Sequence, residues 1–489
     1  MTDYLAIDLG AESGRTIHAT LKDKHLALRE VHRFGNGPVR LPDGLHWDVL
    51  RLWSEIKAGI TSAIKSGANP AGIGLDTWGV DFALLDQNGA LLGNPYHYRD
   101  ARTDGVVEEA FKRVSRAKIF SQTGVQFMQL NTLYQLYSMS LAKSPLFDVA
   151  QTFVTLPDLF NYWLSGKITN EFTNCTTTQC YNPQTGDWAR SLLDTLGIPS
   201  RLFGPVSQPG TVLGPLLPAI AEETGAGEAK VVIPACHDTG SAVVAVPAQN
   251  QDFAWISSGT WSIMGAEVIH PVVGEKALTY NFTNEGGVFG TWRLSKNITG
   301  LWLVQECRRT WQAQGADLSY DEITRLAAEA QPFLAVIDPD DELFFHPGDM
   351  PARICEFCTK TQQRVPQTKG EIVRVALESL ALKYRLTLER LEELTGKRLD
   401  PIHIIGGGSR NRLLNQFSAD CSGRRVVTGP IEATAIGNVL MQAIALGQLE
   451  DLSAARAVVR NSFEVESYHP GRPAGWDAAY AKFVEMAKG

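Results

Sequence analysis

Two strand–turn–strand units, half a chain apart, constrain the fold of this chain more than any other feature. The apolar segment Tyr4–Leu9 leads into the turn Gly10–Arg15, and Phe253–Ile256 leads into the turn Ser257–Ser262. A second β-like stretch follows each turn. Small residues in a turn of this kind let successive backbone N–H groups face an anion. Each turn on its own is also compatible with an ordinary hairpin, but the repetition favours two related anion-binding loops.

The length of the chain predicts two domains. With 489 residues, the chain exceeds what one hydrophobic core usually serves. We place the boundary around 247–252, which gives an N-terminal domain at 1–248 and a C-terminal domain at 249–489. Both halves begin with a hairpin and continue with alternating helices and strands, so each is expected to be a layered α/β domain. A ligand is expected in the cleft between them.

Composition narrows the functional class. The net charge is −8 without long runs of one sign, which argues against nucleic acid or an anionic membrane as a partner. No apolar run reaches the ~18 residues of a membrane helix, and the N-terminus has no secretion signal. Seven scattered cysteines predict reduced thiols and a cytoplasmic protein. The isolated pair Cys355 and Cys358 is compatible with a metal or redox site or with two unreactive thiols.

Hydrophobic periodicity predicts the remaining elements. Short apolar segments predict further strands at 25–34, 72–77, 80–85, 231–233, 402–405 and 425–428. Amphipathic segments predict helices at 49–66, 105–114, 131–142, 157–165, 238–245, 298–315, 320–330, 370–395, 411–421, 432–446 and 474–487.

One acidic residue stands where a buried strand meets a helix. Asp238 follows Cys236 and His237 at this junction. An Asp here is compatible with a helix N-cap and with a general base at a ligand site. No G-x-x-x-x-G-K-[ST] motif occurs, so a P-loop enzyme is excluded.

Two further segments point to ligands. The string Asp76–Phe82 carries Trp78 and Asp81, and Arg99 follows later. Carboxylates, an indole and a guanidinium suit a hydroxyl-rich ligand such as a sugar, although Trp78 alone fits a core position equally well. Gly406–Gly408, between a strand and a helix, predicts close approach of a nucleotide to the backbone.

In order along the chain, these segments resemble the FGGY carbohydrate kinase family, from residue 4 to about 445. The family belongs to the superfamily of hexokinase, actin and the heat-shock chaperone ATPases. The resemblance therefore implies two duplicated actin/hexokinase-like (ribonuclease H-like) domains with an interdomain active-site cleft. Several strings resemble the members that phosphorylate L-rhamnulose: 76–82, 98–103, 131–136, 284–287 and 297–302. The Gln-Met-His-Gly string expected of xylulose-phosphorylating members is absent at 77–80.

The resemblance also implies roles for single residues. It implies ATP phosphate binding by Ala11, Glu12, Ser13, Gly14 and Arg15, γ-phosphate contact by Thr260, nucleotide contact by Gln305 and Gly407, Mg²⁺ held through water by Asp8, and sugar contact by Gly79, His237, Thr239 and Asn297. Asp238 would be the base, in contact with the sugar. Trp78, Asp81 and Arg99 complete the predicted sugar site. Glu12 is unexpected in a phosphate loop, and we predict that its side chain points away from the nucleotide.

The expected reaction converts ATP and L-rhamnulose to ADP and L-rhamnulose 1-phosphate, a step of L-rhamnose catabolism. One alternative keeps the chemistry and changes the sugar to L-fuculose, another deoxyketose or a signalling furanone. A second alternative is an actin-like or chaperone-like ATPase, which would have no need for the sugar-side residues. The partners expected are sugar and ATP, with the chain as a monomer or homodimer.

Overall fold

The computed structural model describes residues 1–471 and 473–487, and the chain divides into two compact units. The first unit consists of Met1–Pro247, Glu267–Leu294 and Ala433–Ser462. The second unit consists of Ala248–Ala266, Ser295–Glu432 and the segment from Phe463 onward. Each unit is therefore assembled from segments that are far apart in the sequence.

The part of the chain before residue 248 alternates strands and helices. Its strands are β1 (Thr2–Leu9), β2 (Ser13–Lys22), β3 (His25–Gly35), β4 (Pro38–Leu41), β5 (Gly44–Trp47), β6 (Pro70–Thr77), β7 (Phe82–Leu85), β8 (Thr152–Thr155), β9 (Asn170–Glu171), β10 (Tyr181–Asn182), β11 (Asp187–Trp188), β12 (Val206–Ser207), β13 (Val212–Pro215) and β14 (Lys230–Val232). Its helices are α1 (Val49–Lys65), α2 (Val106–Arg113), α3 (Arg116–Thr123), α4 (Thr132–Leu141), α5 (Leu146–Val149), α6 (Leu156–Ser165), α7 (Phe172–Cys175), α8 (Arg190–Thr195), α9 (Pro218–Thr224) and α10 (Asp238–Val244).

The remaining part is richer in helix. Its strands are β15 (Ala254–Ser258), β16 (Trp261–Val268), β17 (Thr283–Gly286), β18 (Trp292–Thr299), β19 (Ile402–Ile405), β20 (Val426–Thr428) and β21 (Ser467–Tyr468). Its helices are α11 (Glu275–Tyr280), α12 (Trp302–Ala313), α13 (Tyr320–Glu329), α14 (Met350–Lys360), α15 (Lys369–Thr395), α16 (Arg412–Ser422), α17 (Ala433–Ala445), α18 (Leu452–Ser462) and α19 (Trp476–Met486). Single 3₁₀ turns lie at Ala101–Thr103, Ser200–Leu202, Glu342–Phe344 and Gly407–Arg410.

Each unit is built on a sheet of the same topology. In the first unit the strand order is β13-β14-β6-β1-β2-β3. The three strands β14, β6 and β1 are parallel to one another. In the second unit, six strands of a seven-stranded sheet repeat this arrangement in the order β21-β20-β19-β15-β16-β18, with β15, β19 and β20 parallel to one another. In each sheet, the hairpin that the sequence repeat predicts is formed by two consecutive strands, β1 and β2 in the first and β15 and β16 in the second.

The core of the first unit lies between its sheet and the helices packed on it. β1 and β6 are almost wholly buried, as expected for parallel strands covered on both faces. The amphipathic helix α1 turns Leu52, Ile56 and Ile60 toward this core. Burying aliphatic side chains of this size stabilises a fold by about 1.5–3 kcal/mol each.

Most of the predicted elements are confirmed, and one is wrong in part. The predicted helix at 298–315 begins only at Trp302, because 298–299 form the end of β18. The β-branched pair Ile298 and Thr299 favours a strand. Eight of the helices named above were not predicted, namely α3, α5, α7, α8, α9, α11, α14 and α18. Within the described ranges, every helix is too short or too polar to cross a membrane.

Candidate functional site

Three carboxylates lie at the carboxyl ends of neighbouring strands in the first unit. Asp8 on β1 pairs directly with Asp76 on β6. Thr77, at the end of β6, forms a β-bridge with His237, which immediately precedes Asp238. Ligands of open α/β sheets bind outside the carboxyl ends of the strands. This edge of the sheet is therefore the candidate active site.

Asp238 is the first residue of α10, and His237 occupies the N-cap position. The interpretation of Asp238 as an N-cap is therefore wrong. Its Oδ1 accepts hydrogen bonds from Thr239 N at 2.5 Å and Thr239 Oγ1 at 3.1 Å. The side chain is 32% exposed. Burial raises the pKa of Asp238, nearby His237 counteracts part of that rise, and Asp8 adds to it. The carboxylate is thus exposed enough to reach a substrate and more basic than an ordinary aspartate.

Asp76 is fully buried near Asp238. Its Oδ2 accepts a hydrogen bond from Asn438 Nδ2 at 2.6 Å, while Oδ1 has no partner among the described residues. Burial, followed by the charge of Asp8, raises the pKa of Asp76 well above its ordinary value. Asn438 comes from α17, and nothing in the sequence marks it as a partner of a strand end more than three hundred residues earlier.

The first loop is held by residues on both sides of it. Arg15 donates to Asp8 Oδ2 through Nε at 3.0 Å and Nη2 at 2.8 Å. Asn36 fixes two loop carbonyls, donating to Gly10 O from its side chain and to Glu12 O from its backbone. Asn36 was not predicted, although it directly follows the third strand.

Two other features of this loop bear on its predicted residues. The Glu12 side chain is exposed, while Ala11 and Ser13 are half-buried. A Cβ on Gly14 would come within 2.2 Å of the Phe34 ring. Packing against Phe34 is therefore enough to require glycine at this position.

The predicted sugar-side cluster is built around a buried carboxylate. Asp81, 2% exposed, accepts hydrogen bonds from the indoles of Trp47 at 2.6 Å and Trp78 at 2.9 Å, and from Gln135 at 3.0 Å. Burial raises the pKa of Asp81 to about 6. Both of its oxygens are engaged inside the fold, so the structure places Asp81 to orient the two indoles. Arg99 is exposed, with its guanidinium 5.6 Å from the centre of the Tyr98 ring.

A strained turn follows Trp78. Val80 has φ of +68°, a conformation that costs a β-branched residue on the order of 1–3 kcal/mol. Its N–H donates to Thr177 Oγ1 at 3.1 Å, and its carbonyl accepts from Thr132 Oγ1 at 2.5 Å. A Cβ on Gly79 would lie 2.9 Å from Thr177 Oγ1. Neither threonine was predicted as a site residue. Thr132 lies in the string 131–136, and Thr177 lies in the polar run at 173–179, which is entirely buried.

The second loop, Ser257–Ser262, lies within the second unit. Leu301 N donates to Gly259 O and Trp302 N donates to Thr260 O, both at 3.1 Å. The loop is thereby joined to the start of α12, whose first turns carry Gln305. Asn297 lies on the preceding strand, β18.

Buried groups pack directly beneath the second loop. Ser262 Oγ and Tyr384 Oη form a hydrogen bond of 2.6 Å. A Cβ on Gly408 would come within 2.0 Å of Ser258 Oγ, and one on Gly406 within 2.9 Å of Ser258 O. Gly407 has no neighbour within 4 Å of the corresponding position. Two glycines of the triplet are therefore needed for packing, which leaves Gly407 as the one open to a ligand.

Potential metal ligands are few. Among the described residues, no group of three or more His, Cys, Asp or Glu side chains is arranged to hold a metal ion. The seven cysteines are free; Cys355 is half-buried, with its thiol 3.5 Å from Pro366 O, and Cys358 is buried. The carboxylates at the strand ends offer the hard oxygen atoms that Mg²⁺ prefers.

Comparison with protein families gives matches to both halves of the chain. Residues 3–245 match the model of the N-terminal domain of the FGGY family of carbohydrate kinases, and residues 254–446 match that of its C-terminal domain. Curated relatives cover nearly the whole chain. The rhamnulokinase of Bacteroides thetaiotaomicron is 44% identical over 99% of each chain. That of Bacillus subtilis is 39% identical, covering 96% of this chain and 95% of the relative.

Solved structures share the fold at low sequence identity. The xylulose kinase of Lactobacillus acidophilus matches with a TM-score of 0.84 at 18% identity, covering 100% of this chain and 98% of that protein. The glycerol kinase of Plasmodium falciparum, solved with ADP, matches with a TM-score of 0.78 at 14% identity, covering 100% and 97%. The duplicated α/β architecture is therefore that of solved carbohydrate kinases.

Proposed function

This chain belongs to the FGGY family of carbohydrate kinases, and on that premise we propose that it phosphorylates the primary hydroxyl of L-rhamnulose with ATP. The products would be ADP and L-rhamnulose 1-phosphate, in L-rhamnose catabolism in the cytoplasm. The names of its full-length relatives support this sugar. The observation that carries the chemistry is the position of Asp238, a partly exposed carboxylate at the carboxyl ends of the strands.

We assign the proton transfer to Asp238. The carboxylate would accept the proton of the primary hydroxyl while that oxygen bonds to the γ-phosphorus. The bond from the γ-phosphorus to the β–γ bridging oxygen breaks, and ADP leaves. A loose phosphoryl-transfer transition state asks little of its base. A carboxylate with a raised pKa is therefore sufficient.

We assign the phosphate tail of ATP to the two loops. Backbone N–H groups of Ala11, Glu12 and Ser13 would bind phosphate oxygens, in a loop whose carbonyls are anchored on Asn36. Arg15 would add positive charge, and Gly14 would continue the loop. From the second loop, Thr260 would contact the γ-phosphate. Gln305 and Gly407 would contact the rest of the nucleotide.

We place Mg²⁺ next to Asp8, held through water. The fit rests on the donor set, since hard carboxylate oxygens suit this ion and Asp76 Oδ1 is buried without a partner. When bound, Mg²⁺ would neutralise charge on the phosphates. Arg15 already neutralises Asp8 at this position, so binding of the ion would be accompanied by rearrangement of this ion pair.

We assign the sugar to Gly79, His237, Thr239 and Asn297, with Trp78 and Arg99 at its edge. Asp81 would act by orienting the indole of Trp78, because its own oxygens are engaged by donors within the fold. This assignment replaces a direct contact between Asp81 and the sugar. Only a few hydroxyl contacts would separate L-rhamnulose from its epimers.

An ADP-release assay with a panel of ketoses tests the proposal. L-Rhamnulose should give the highest kcat/KM, and ATP consumption without sugar should be far slower. A higher kcat/KM for L-fuculose or another deoxyketose would change the substrate assignment. Equal ATP consumption with and without every sugar would instead indicate an ATPase.

Substitution of the base gives the second test. Asp238→Asn should lower kcat by about 100-fold or more, the range of general-base catalysis, with little change in the KM for ATP. Asp187→Asn, at an exposed position, is the control and should behave like the wild type. Near-normal kcat in the Asp238 variant would contradict its assignment as base.

A further inference from the structure

A fully buried arginine contacts the residue that precedes the base. Arg293 on β18 has 0% exposure, and its Nη2 donates to His237 Nδ1 at 3.1 Å. Its Nε donates to Gly286 O at 2.9 Å, which fixes the guanidinium plane. Glu285 pairs with the same guanidinium at 3.1 Å and balances its buried charge.

The chemistry of arginine determines which nitrogen of His237 carries the proton. A guanidinium has only donors, so an Nη2 hydrogen bond to Nδ1 requires a lone pair there. In a neutral imidazole the proton then lies on Nε2. That nitrogen is 3.4 Å from Asp238 Oδ1. Glu285 Oε2 also lies near Nδ1, at 3.2 Å, so this carboxylate competes with Arg293 for Nδ1.

We propose that Arg293 is a positioning residue that keeps His237 neutral and protonated at Nε2, so that this N–H faces Asp238 Oδ1 at 3.4 Å. Oδ1 already accepts hydrogen bonds from the N and Oγ1 of Thr239. No hydrogen bond reaches Oδ2 from the described part of the chain. Oδ2 is therefore the oxygen that takes the hydroxyl proton. This refinement rests on the proposed role of Asp238 as base.

Nitrogen-15 NMR of the full chain, labelled at histidine, reads the tautomer directly. His237→Asn identifies the His237 signals by their loss. The proposal expects the wild type to show a protonated Nε2 and an unprotonated Nδ1 at neutral pH. A proton on Nδ1, donated to Glu285, or protonation of both nitrogens would overturn it.

Two variants show whether Arg293 or Glu285 determines the tautomer of His237. Arg293→Lys keeps the buried positive charge but loses the planar guanidinium that donates to both Gly286 O and His237 Nδ1. This variant should therefore shift His237 to a mixture of tautomers. Glu285→Gln should leave the tautomer as in the wild type. The opposite pattern, with the tautomer following Glu285, would overturn the proposal. If Arg293→Lys does not fold, the wild-type and Glu285→Gln spectra still decide.

Kinetics supply a further readout. Arg293→Lys should lower kcat at least tenfold and change the KM for ATP less than threefold. Arg456→Lys is the matched control, because Arg456 is also buried in the first unit and pairs with Glu267 at 2.7 Å outside the site. Equal kcat in the two variants would refute a positioning role. Because the NMR readout needs no substrate, failure of the kinase assignment would be recognised separately.

Discussion

At the scale of single residues, the surroundings of Asp238 suit the role of base that we propose for it. Partial burial disfavours its charged form and raises its pKa, whereas the donors on Oδ1 stabilise the charge and limit the rise. The result is a carboxylate that accepts a proton more readily than one in water. Activity should therefore fall as the pH drops through a value above the ordinary Asp pKa of about 3.9.

Thr239 should affect the pH at which kcat falls on the acidic side of the pH profile. Thr239→Val removes the hydroxyl that donates to Asp238 Oδ1, so the charged form loses stabilisation and this fall in kcat should move to higher pH. Thr239→Ser keeps the hydroxyl, so the pH at which kcat falls should stay as in the wild type. The measurement is kcat between pH 4.5 and 8, with sugar and ATP saturating. An equal shift in both variants would show that the hydroxyl is not responsible.

At the scale of elements, packing requires two glycines of the triplet after β19, and we propose that the third, Gly407, contacts the nucleotide. Gly408→Ala would force a methyl against Ser258 and should lower the free energy of unfolding by about 1–3 kcal/mol. Gly407→Ala meets open space and should fold normally, but should raise the KM for ATP if the nucleotide lies there. Chemical denaturation and ATP titration separate the two effects. An unchanged KM in the Gly407 variant would remove this residue from the nucleotide site.

The stability of the second loop, Ser257–Ser262, should also depend on the phenol of Tyr384. Tyr384→Phe loses the hydrogen bond to Ser262, at a cost of about 1 kcal/mol, and should raise the KM for ATP more than that for sugar. Tyr134→Phe is the matched control, since its buried hydroxyl has no hydrogen-bond partner among the described residues. Steady-state kinetics with each substrate varied would show the difference. Equal effects on both KM values would contradict a local role in ATP binding.

At the scale of the whole molecule, two buried carboxyls tie stability to pH. Burial raises the pKa of Asp158 to about 8 and that of Glu171 to about 7. Folded-state pKa values above the unfolded ones give stability that is complete below pH ~4 and is lost as the pH rises through 7 to 8. The folded protein keeps these protons where the unfolded chain has released them.

Asp158→Asn should flatten this pH dependence. The amide stays neutral, so the variant should gain stability relative to the wild type as the pH rises from 5 to 8, by up to ~1.4 kcal/mol per pH unit. Asp148→Asn, at an exposed position on α5, is the control. Urea unfolding at a series of pH values gives the difference. A constant difference between variant and wild type across this range would contradict the raised pKa.

Much of the fold follows from local sequence. The sequence predicted the repeated hairpins, periodic helices such as α15, and the turns that contain glycine. These features depend on residues that are neighbours in the sequence. Asp8 and Asp238 could be proposed as site residues for the same reason, because the sequence places them after predicted strands. The predicted boundary at 248–249 stays a prediction.

Long-range contacts could only come from the tertiary structure. Asn438 reaches Asp76 across 362 positions, and Arg293 reaches His237 from another strand. The sequence by itself determined the repeated architecture and the residue types at the strand ends, because local periodicity and turn chemistry are short-range. Only the tertiary structure decided which oxygen of Asp238 is free and why two of three glycines are needed, because burial and hydrogen-bond partners arise from segments that folding brings together.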